Sequence, residues 1–215
     1  MKIGVFDSGI GGLSVANAIK LAFPEHEVIF KNDAKHVPYG SRGMDEVLVF
    51  TLPILQSLVL VGVDCIVIAC NTVSTNLIVQ LRNLLDVPLI AMEPMVKPAA
   101  QQTSTGVIAV CATPATLSSE RYAWLKNTYA SDIRVLEPDC STWAAMIEAN
   151  KVDVSAVESL VQGVIAQNAD VIVLGCTHYH WIEALIKKSA GSRAVVLQPE
   201  QPVIAELRRV IAPLI

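Results

Sequence analysis

The chain has 215 residues, a formal net charge of −4 and a mean hydropathy of +0.49. Hydrophobic residues make up 53% and charged residues 17%, which excludes a disordered chain, and without a block of Lys or Arg we expect no nucleic-acid partner. The longest apolar run, residues 52–63, is broken by Gln56, Ser57 and Gly62 and is shorter than the ~20 residues of a membrane span, so we expect a cytoplasmic protein with no membrane partner.

The pattern of apolar residues predicts strands that alternate with helices. In chain order the predicted elements are a strand at 2–6, a helix at 13–22, a strand at 27–31, a helix at 44–61, a strand at 65–69, a helix at 76–85, strands at 88–92 and 106–110, a helix at 117–129, a strand at 133–136, a helix at 155–168, a strand at 170–174, a helix at 181–190, a strand at 194–197 and a helix at 204–211. Such alternation is typical of βαβ units. The predicted fold class is α/β, with two pseudo-symmetric, doubly wound, mostly parallel domains and the active site in the cleft between them.

The order of elements restarts after Glu93-Pro94, which marks a domain boundary. A second crossing is predicted near residues 199–202, where two prolines stand close together. We therefore predict a first domain of residues 1–95 and 198–215 and a second domain of residues 96–197.

Two of the five cysteines lie in matching local sequences about a hundred residues apart. Cys70 and Cys176 each follow an apolar run that is typical of a buried parallel strand, and ligands of open α/β sheets bind past the carboxyl ends of such strands. We expect each half of the chain to bring one thiol to a shared site, with His178 close enough to tune Cys176. An odd cysteine count without a CxxC pair argues against a disulfide framework and a local zinc site, so we expect no metal.

The loop Asp-Ser-Gly-Ile-Gly-Gly at residues 7–12 follows a strand and opens a helix. It has no Lys-Ser/Thr of a phosphate-binding P-loop, and its spacing differs from G-x-G-x-x-G. Two interpretations stay open. Asp7 caps the helix while the glycines allow a tight turn, or the backbone amides bind a small carboxylate while Asp7 handles a proton or a cation.

A second loop contains Asp33, His36 and the turn Pro38-Tyr39-Gly40. A tyrosine hydroxyl and a glycine N–H in such a turn are able to contact a ligand, although a plain surface turn is the more common case. We expect His36, and His26 before it, to be solvated, and we expect Cys65 and Cys111 to pack in the core.

Four motifs together carry a family resemblance. Asp-Ser-Gly-Ile-Gly-Gly, Pro-Tyr-Gly, Ala-Cys-Asn-Thr and Gly-Cys-Thr-His-Tyr, in this order and spacing, resemble the glutamate racemases of the aspartate/glutamate racemase superfamily. Supporting stretches are residues 112–116 and the segment 143–148, which resembles the one that ends in the family's glutamate near the active site.

The resemblance implies interconversion of L- and D-glutamate without a cofactor or metal, with D-glutamate supplied for peptidoglycan and with a homodimer as a candidate assembly. It implies that Cys70 and Cys176 are the acid/base pair on opposite faces of the α-carbon, assisted by Asp7 and His178. The residues implied to hold the substrate are Ser8, Pro38, Tyr39, Gly40, Asn71, Thr72, Thr113, Thr116 and Thr177. The implied supporting residues are Glu148 and Asp33.

Some positions depart from the family pattern. His180 stands where the motif has a proline, and Gln198 stands where an aspartate is common. Two alternatives therefore stay open: a racemase of the same superfamily that acts on aspartate or another acid, and a non-catalytic protein that binds a small acid.

Overall fold

The computed structural model describes residues 1–212 and folds them into eight strands and ten helices. The strands are β1 (Lys2–Asp7), β2 (Glu27–Asn32), β3 (Cys65–Ile68), β4 (Leu89–Ala91), β5 (Val107–Ala112), β6 (Arg134–Leu136), β7 (Val171–Gly175) and β8 (Val195–Leu197). The helices are α1 (Leu13–Ala22), α2 (Met44–Leu60), α3 (Asn71–Leu84), α4 (Val96–Gln102), α5 (Pro114–Leu117), α6 (Glu120–Tyr129), α7 (Trp143–Glu148), α8 (Val154–Ile165), α9 (Glu183–Ala190) and α10 (Glu200–Ile211). Short 3-10 turns cover Ile10–Gly12 and Thr177–Ile182.

The strands form two four-stranded sheets with the same strand order. The first sheet is β2-β1-β3-β4 and the second is β6-β5-β7-β8, and every pairing between these strands is parallel. The α/β prediction is confirmed. β3 and β7 hold equivalent inner positions in the two sheets. Cys70 and Cys176 therefore lie just past the carboxyl ends of equivalent strands.

Helices cover both faces of each sheet, which is why the central strands read as unbroken apolar runs. On one face of the first sheet, Val15 and Ile19 of α1 pack with Leu207 of α10. On the other face, Leu55 of α2 and Leu81 of α3 pack against the same strands. The last helix thus returns to the first sheet. The predicted domains divide the chain into residues 1–95 with 198–215 and residues 96–197. That division stays a prediction, and residues 213–215 of its first domain lie outside the described residues.

The sequence-based element bounds are wrong mainly for helices. Helix α3 begins at Asn71 rather than at residue 76, although Asn, Thr, Val and Ser are weak helix formers. Residues 71–75 are all buried, and the Ser74 hydroxyl donates to the carbonyl of Ile68, so tertiary packing overrides propensity. The prediction also missed the short helices α4, α5 and α7. Among the described residues, no helix is long and apolar enough to cross a membrane.

Candidate active site

Two equivalent strands bring one thiol each to a single small cavity. Cys70 is the N-cap of α3 and Cys176 precedes the turn Thr177–Ile182, and their exposed fractions are 5% and 6%. The cavity is lined by Ser8, Pro38, Tyr39, Gly40, Cys70, Asn71, Thr72, Thr113, Ala144, Cys176, Thr177 and His178. Eleven of these residues were expected in the site from the sequence, and Ala144, which lies in the supporting stretch 143–148, was not.

Cys70 lies against the first loop of the chain. Its thiol donates a hydrogen bond to the Ser8 hydroxyl, with 3.6 Å between sulfur and oxygen. Burial and the nearby carboxylate of Asp7 raise the pKa of the Cys70 thiol to about 12, against the opposing effects of the Val73 amide and Ser8. This sulfur therefore holds its proton at neutral pH.

Cys176 begins a chain of polar contacts that runs to Glu148. Nδ1 of His178 lies 3.7 Å from the Cys176 sulfur, and Nε2 lies 2.6 Å from the Glu148 carboxylate. Burial by itself lowers the pKa of His178, but the contacts with Cys176, Glu148 and Asp7 outweigh it and raise the pKa to about 11. His178 is thus a cation at neutral pH. Hydrogen bonds from His178 and from the Ile10 amide hold the pKa of Glu148 below its usual range despite partial burial.

The first loop supports both ends of this arrangement. Asp7 is fully buried, accepts hydrogen bonds from the amides of Gly9 and Gly12, and accepts a third from the Thr177 hydroxyl at 3.1 Å. Burial raises the pKa of Asp7, while the nearby His178 and these hydrogen bonds oppose the rise.

The expectation that the loop amides bind a substrate carboxylate is not met at three positions. The amides of Gly9 and Gly12 donate to Asp7, and the amide of Ile10 donates to Glu148. The protein's own carboxylates therefore occupy these three donors.

Hydroxyl groups join the two halves on the opposite side of the cavity. The Thr72 and Thr113 oxygens lie 2.9 Å apart, and Thr113 donates onward to the Thr116 hydroxyl at 3.0 Å. Thr116 does not line the cavity, so the structure places it behind Thr113. A Cβ on Gly40 would stand 2.6 Å from the Cβ of Thr113, which explains why a glycine is needed where the second loop meets the other half.

The second loop is more buried than its composition suggests. Tyr39 is 1% exposed and donates to the Asp33 carboxylate at 2.7 Å, so Asp33 supports the cavity wall rather than lining it. Burial raises the pKa of Tyr39, and the bond to Asp33 raises it further. The expectation that His26 and His36 are solvated is not met. The His36 ring stacks on Phe50, and its Nδ1 lies 2.8 Å from the Asp33 carboxylate. The His26 side chain is only 8% exposed.

Asn71, one of the residues expected to hold the substrate, has a side-chain amide without a partner among the described residues. It is 2% exposed, and neither its amide nitrogen nor its amide oxygen has a hydrogen-bond partner among the described residues. Buried polar groups are almost always paired, and Asn71 lines the cavity, so its amide is available to a bound ligand.

Comparison with known proteins agrees with this geometry. A family model described as Asp/Glu/Hydantoin racemase matches residues 13–204. The chain belongs to this racemase family. A protein named glutamate racemase from Herpetosiphon aurantiacus is 36% identical over 214 residues, which cover 98% of this chain and 84% of that protein.

Solved racemase structures share the fold. The Escherichia coli glutamate racemase, crystallised with L-glutamate and an activator, superposes with a TM-score of 0.90 at 24% identity and covers 98% of this chain and 82% of its own. The Francisella tularensis glutamate racemase, crystallised with D-glutamate, superposes with a TM-score of 0.79 at 28% identity. The match covers 98% of this chain and 80% of that protein.

The candidate site in this chain is built from side chains and backbone groups. Among residues 1–212 there is no group of three or more His, Cys, Asp or Glu side chains with the geometry to hold a metal ion. Four predicted residues stand behind the cavity wall and contact those that line it: Asp7, Asp33, Thr116 and Glu148. Asp7 and Glu148 contact partners 170 and 30 positions away in the chain, whereas the partners of Asp33 and Thr116 are six and three positions away.

Proposed function

We propose that this chain is a cofactor-independent glutamate racemase in which Cys70 and Cys176 exchange the α-proton. The observation that carries the proposal is the pair of nearly buried thiols that face one cavity from equivalent strands of two sheets. Inversion of a carbon centre requires a base on one face and an acid on the other. The relative named glutamate racemase and the glutamate racemase crystallised with D-glutamate support glutamate as the substrate.

The surroundings of the two sulfurs differ. The imidazole of His178 lies 3.7 Å from the sulfur of Cys176, whereas burial and Asp7 favour the neutral thiol of Cys70. In one direction Cys176 removes the α-proton and Cys70 delivers a proton to the opposite face. The reverse direction exchanges these roles, and we propose that Asp7 and His178 move the balancing protons.

Polar groups of the cavity are proposed to hold the amino acid. The unpaired Asn71 amide offers both a donor and an acceptor, and hydroxyls converge from Ser8, Thr72, Thr113 and Thr177. Pro38, Tyr39 and Gly40 complete the wall from the first half. In a site closed to water, such fixed dipoles stabilise the negative charge that develops on the substrate carboxylate as the proton leaves.

We further propose that the product D-glutamate is supplied for peptidoglycan synthesis in the cytoplasm. A reducing compartment suits a mechanism that needs two unlinked thiols, and all five cysteines are unlinked in this structure. The homodimer stays a prediction, and sedimentation of the purified protein tests it.

The first experiment follows proton exchange directly. The purified protein is incubated in D2O with L-glutamate, D-glutamate, L-aspartate or D-aspartate, and proton NMR and optical rotation are recorded together. We expect loss of the α-proton signal and of rotation with both glutamate enantiomers. Exchange with aspartate alone would instead support a racemase of the same superfamily that acts on aspartate. Binding without exchange would support a non-catalytic protein that binds a small acid.

Cysteine variants test the mechanism. Cys70→Ala and Cys176→Ala should each abolish racemisation, whereas Cys65→Ala, which removes a fully buried core thiol from β3, should retain it. Racemisation by either of the first two variants at the wild-type rate would refute the two-thiol mechanism.

A further inference from the structure

The turn that follows Cys176 is held by an unusual number of separate partners. Thr177 donates to the last residue of β1, and His178 contacts α7. Tyr179 donates to the carbonyl of Cys140 at 2.8 Å, and His180 contacts both α1 and α10. Four consecutive side chains therefore tie this turn to five different parts of the chain.

His180 is the least expected of these ties. Its side chain is 3% exposed, and its Nδ1 lies 3.0 Å from the Ser14 hydroxyl and 3.4 Å from the Glu200 carboxylate. The Ser14 hydroxyl donates to the carbonyl of Gly11, and a carboxylate only accepts, so these contacts favour the tautomer with the proton on Nδ1. Nε2 has no partner among the described residues, so Nδ1 alone holds the ring.

The carboxylate that His180 contacts is itself fixed. Gln198 donates from its amide nitrogen to the second oxygen of Glu200 at 3.1 Å and accepts from the Glu200 backbone amide at 2.8 Å. Hydrogen bonds, first of all from His180, hold the pKa of Glu200 below its usual range, so it is an anionic acceptor. His180 and Gln198, two positions at which the chain departs from the motif, thus meet at one carboxylate.

The contacts of His180 join the halves of the molecule. Ser14 belongs to α1 and Glu200 to α10, and both helices pack on the first sheet, whereas the turn of His180 extends from the second sheet. The ring stands two residues beyond His178 and four beyond Cys176. A change in its bonds therefore acts on the placement of those two side chains relative to the first half of the site.

We propose that His180 is a positioning residue, whose Nδ1–H, shared by Ser14 and Glu200, holds the turn Thr177–Ile182 in the place that proton transfer at Cys176 requires. The proposal rests on the proposed racemase function. It assigns to a side-chain network the rigidity that a proline at this position would supply through its fixed backbone angle.

Three variants test the network. His180→Ala removes the donor, Ser14→Ala removes one acceptor, and His180→Asn keeps an N–H donor on the atom that corresponds to Nδ1. A matched control is Thr103→Val, which removes a hydroxyl bond to Asp170 at the opposite end of β7. Thermal unfolding of all variants measures the loss of stability separately from activity.

We expect His180→Ala to lower kcat about tenfold with little change in KM, because a misplaced reacting group slows chemistry more than it weakens binding. His180→Asn should recover kcat to within about threefold of wild type, and the His180→Ala/Ser14→Ala double variant should lose less than the product of the single losses. An equal loss of kcat in Thr103→Val, or no recovery in His180→Asn, would overturn the proposal.

A spectroscopic measurement separates this proposal from the function on which it rests. The short His178–Glu148 hydrogen bond should give a downfield proton NMR signal, assigned by its loss in Glu148→Gln. We expect the signal to move in His180→Ala and to stay in place in Thr103→Val, and an unmoved signal in His180→Ala counts against positioning. If wild type exchanges no glutamate, the racemase function fails and this signal alone decides the role of His180.

Discussion

Gly9 lies so close to Glu148 that one added methyl group would displace the carboxylate. A Cβ built on Gly9 stands 2.8 Å from Nε2 of His178, 2.8 Å from a methyl of Val37 and closer still to the nearer oxygen of Glu148. Real Cβ atoms essentially never approach within 3.0 Å, so Gly9→Ala requires this carboxylate to withdraw by about 1 Å.

The displaced oxygen is the one that accepts from both His178 and the Ile10 amide. We expect the free energy of unfolding to fall by about 1–3 kcal/mol, the usual cost of overpacking, because the end of a flexible side chain is able to move. Activity should suffer more, with kcat about 100-fold lower, because His178 loses the carboxylate that holds its orientation and its charge.

Racemisation kinetics and urea unfolding of Gly9→Ala measure the two effects. Gly43→Ala is the matched control, because a Cβ there has no neighbour within 4 Å and the backbone angles of −66° and 141° suit alanine. The control should keep the wild-type kcat. A wild-type kcat in Gly9→Ala would refute the argument that Glu148 sets the state of His178.

Three further predictions concern protonation. In Glu148→Gln the pKa of His178 should fall below about 11, which a nitrogen-15 NMR titration measures and an unchanged value contradicts. In Ser8→Ala the pKa of Cys70 should rise above about 12, since the hydroxyl lowers it, and alkylation of Cys70 in mildly alkaline buffer, followed by peptide mass spectrometry, should slow. Because the folded-state pKa of Asp7 is raised above 3.8, the free energy of unfolding should fall as pH rises from 3.8 through that raised pKa. Urea unfolding of Asp7→Asn over this pH range should show no such fall in the free energy of unfolding.

The strands were predictable because their physical cause is local. A strand buried on both faces must be apolar at nearly every position, so β1 and β7 could be located within a residue of their observed bounds. The repeat of that pattern before Cys70 and Cys176 was enough to pair the thiols in one site. The same local reasoning placed the start of α3 five residues late, because burial, and not propensity, makes Asn71–Leu84 helical.

The supporting residues of the site could not be derived in this way. Glu148 meets the Ile10 amide across 138 positions of the chain, and His180 meets Ser14 across 166. Neither pair has a periodicity or a spacing that marks it. The family motif pointed to Glu148, but no motif pointed to the tie between His180, Ser14 and Glu200.

By itself the sequence determined the fold class, the two matching strand ends and the identity of the paired thiols, because apolar periodicity and a short motif are properties of neighbouring residues. Only the tertiary structure decided which contacts the surrounding groups make: the amides that Asp7 and Glu148 occupy, the unpaired amide of Asn71 and the network around His180. Burial and charge at a point in space depend on every segment that packs there. A linear pattern does not contain that information until the chain has folded.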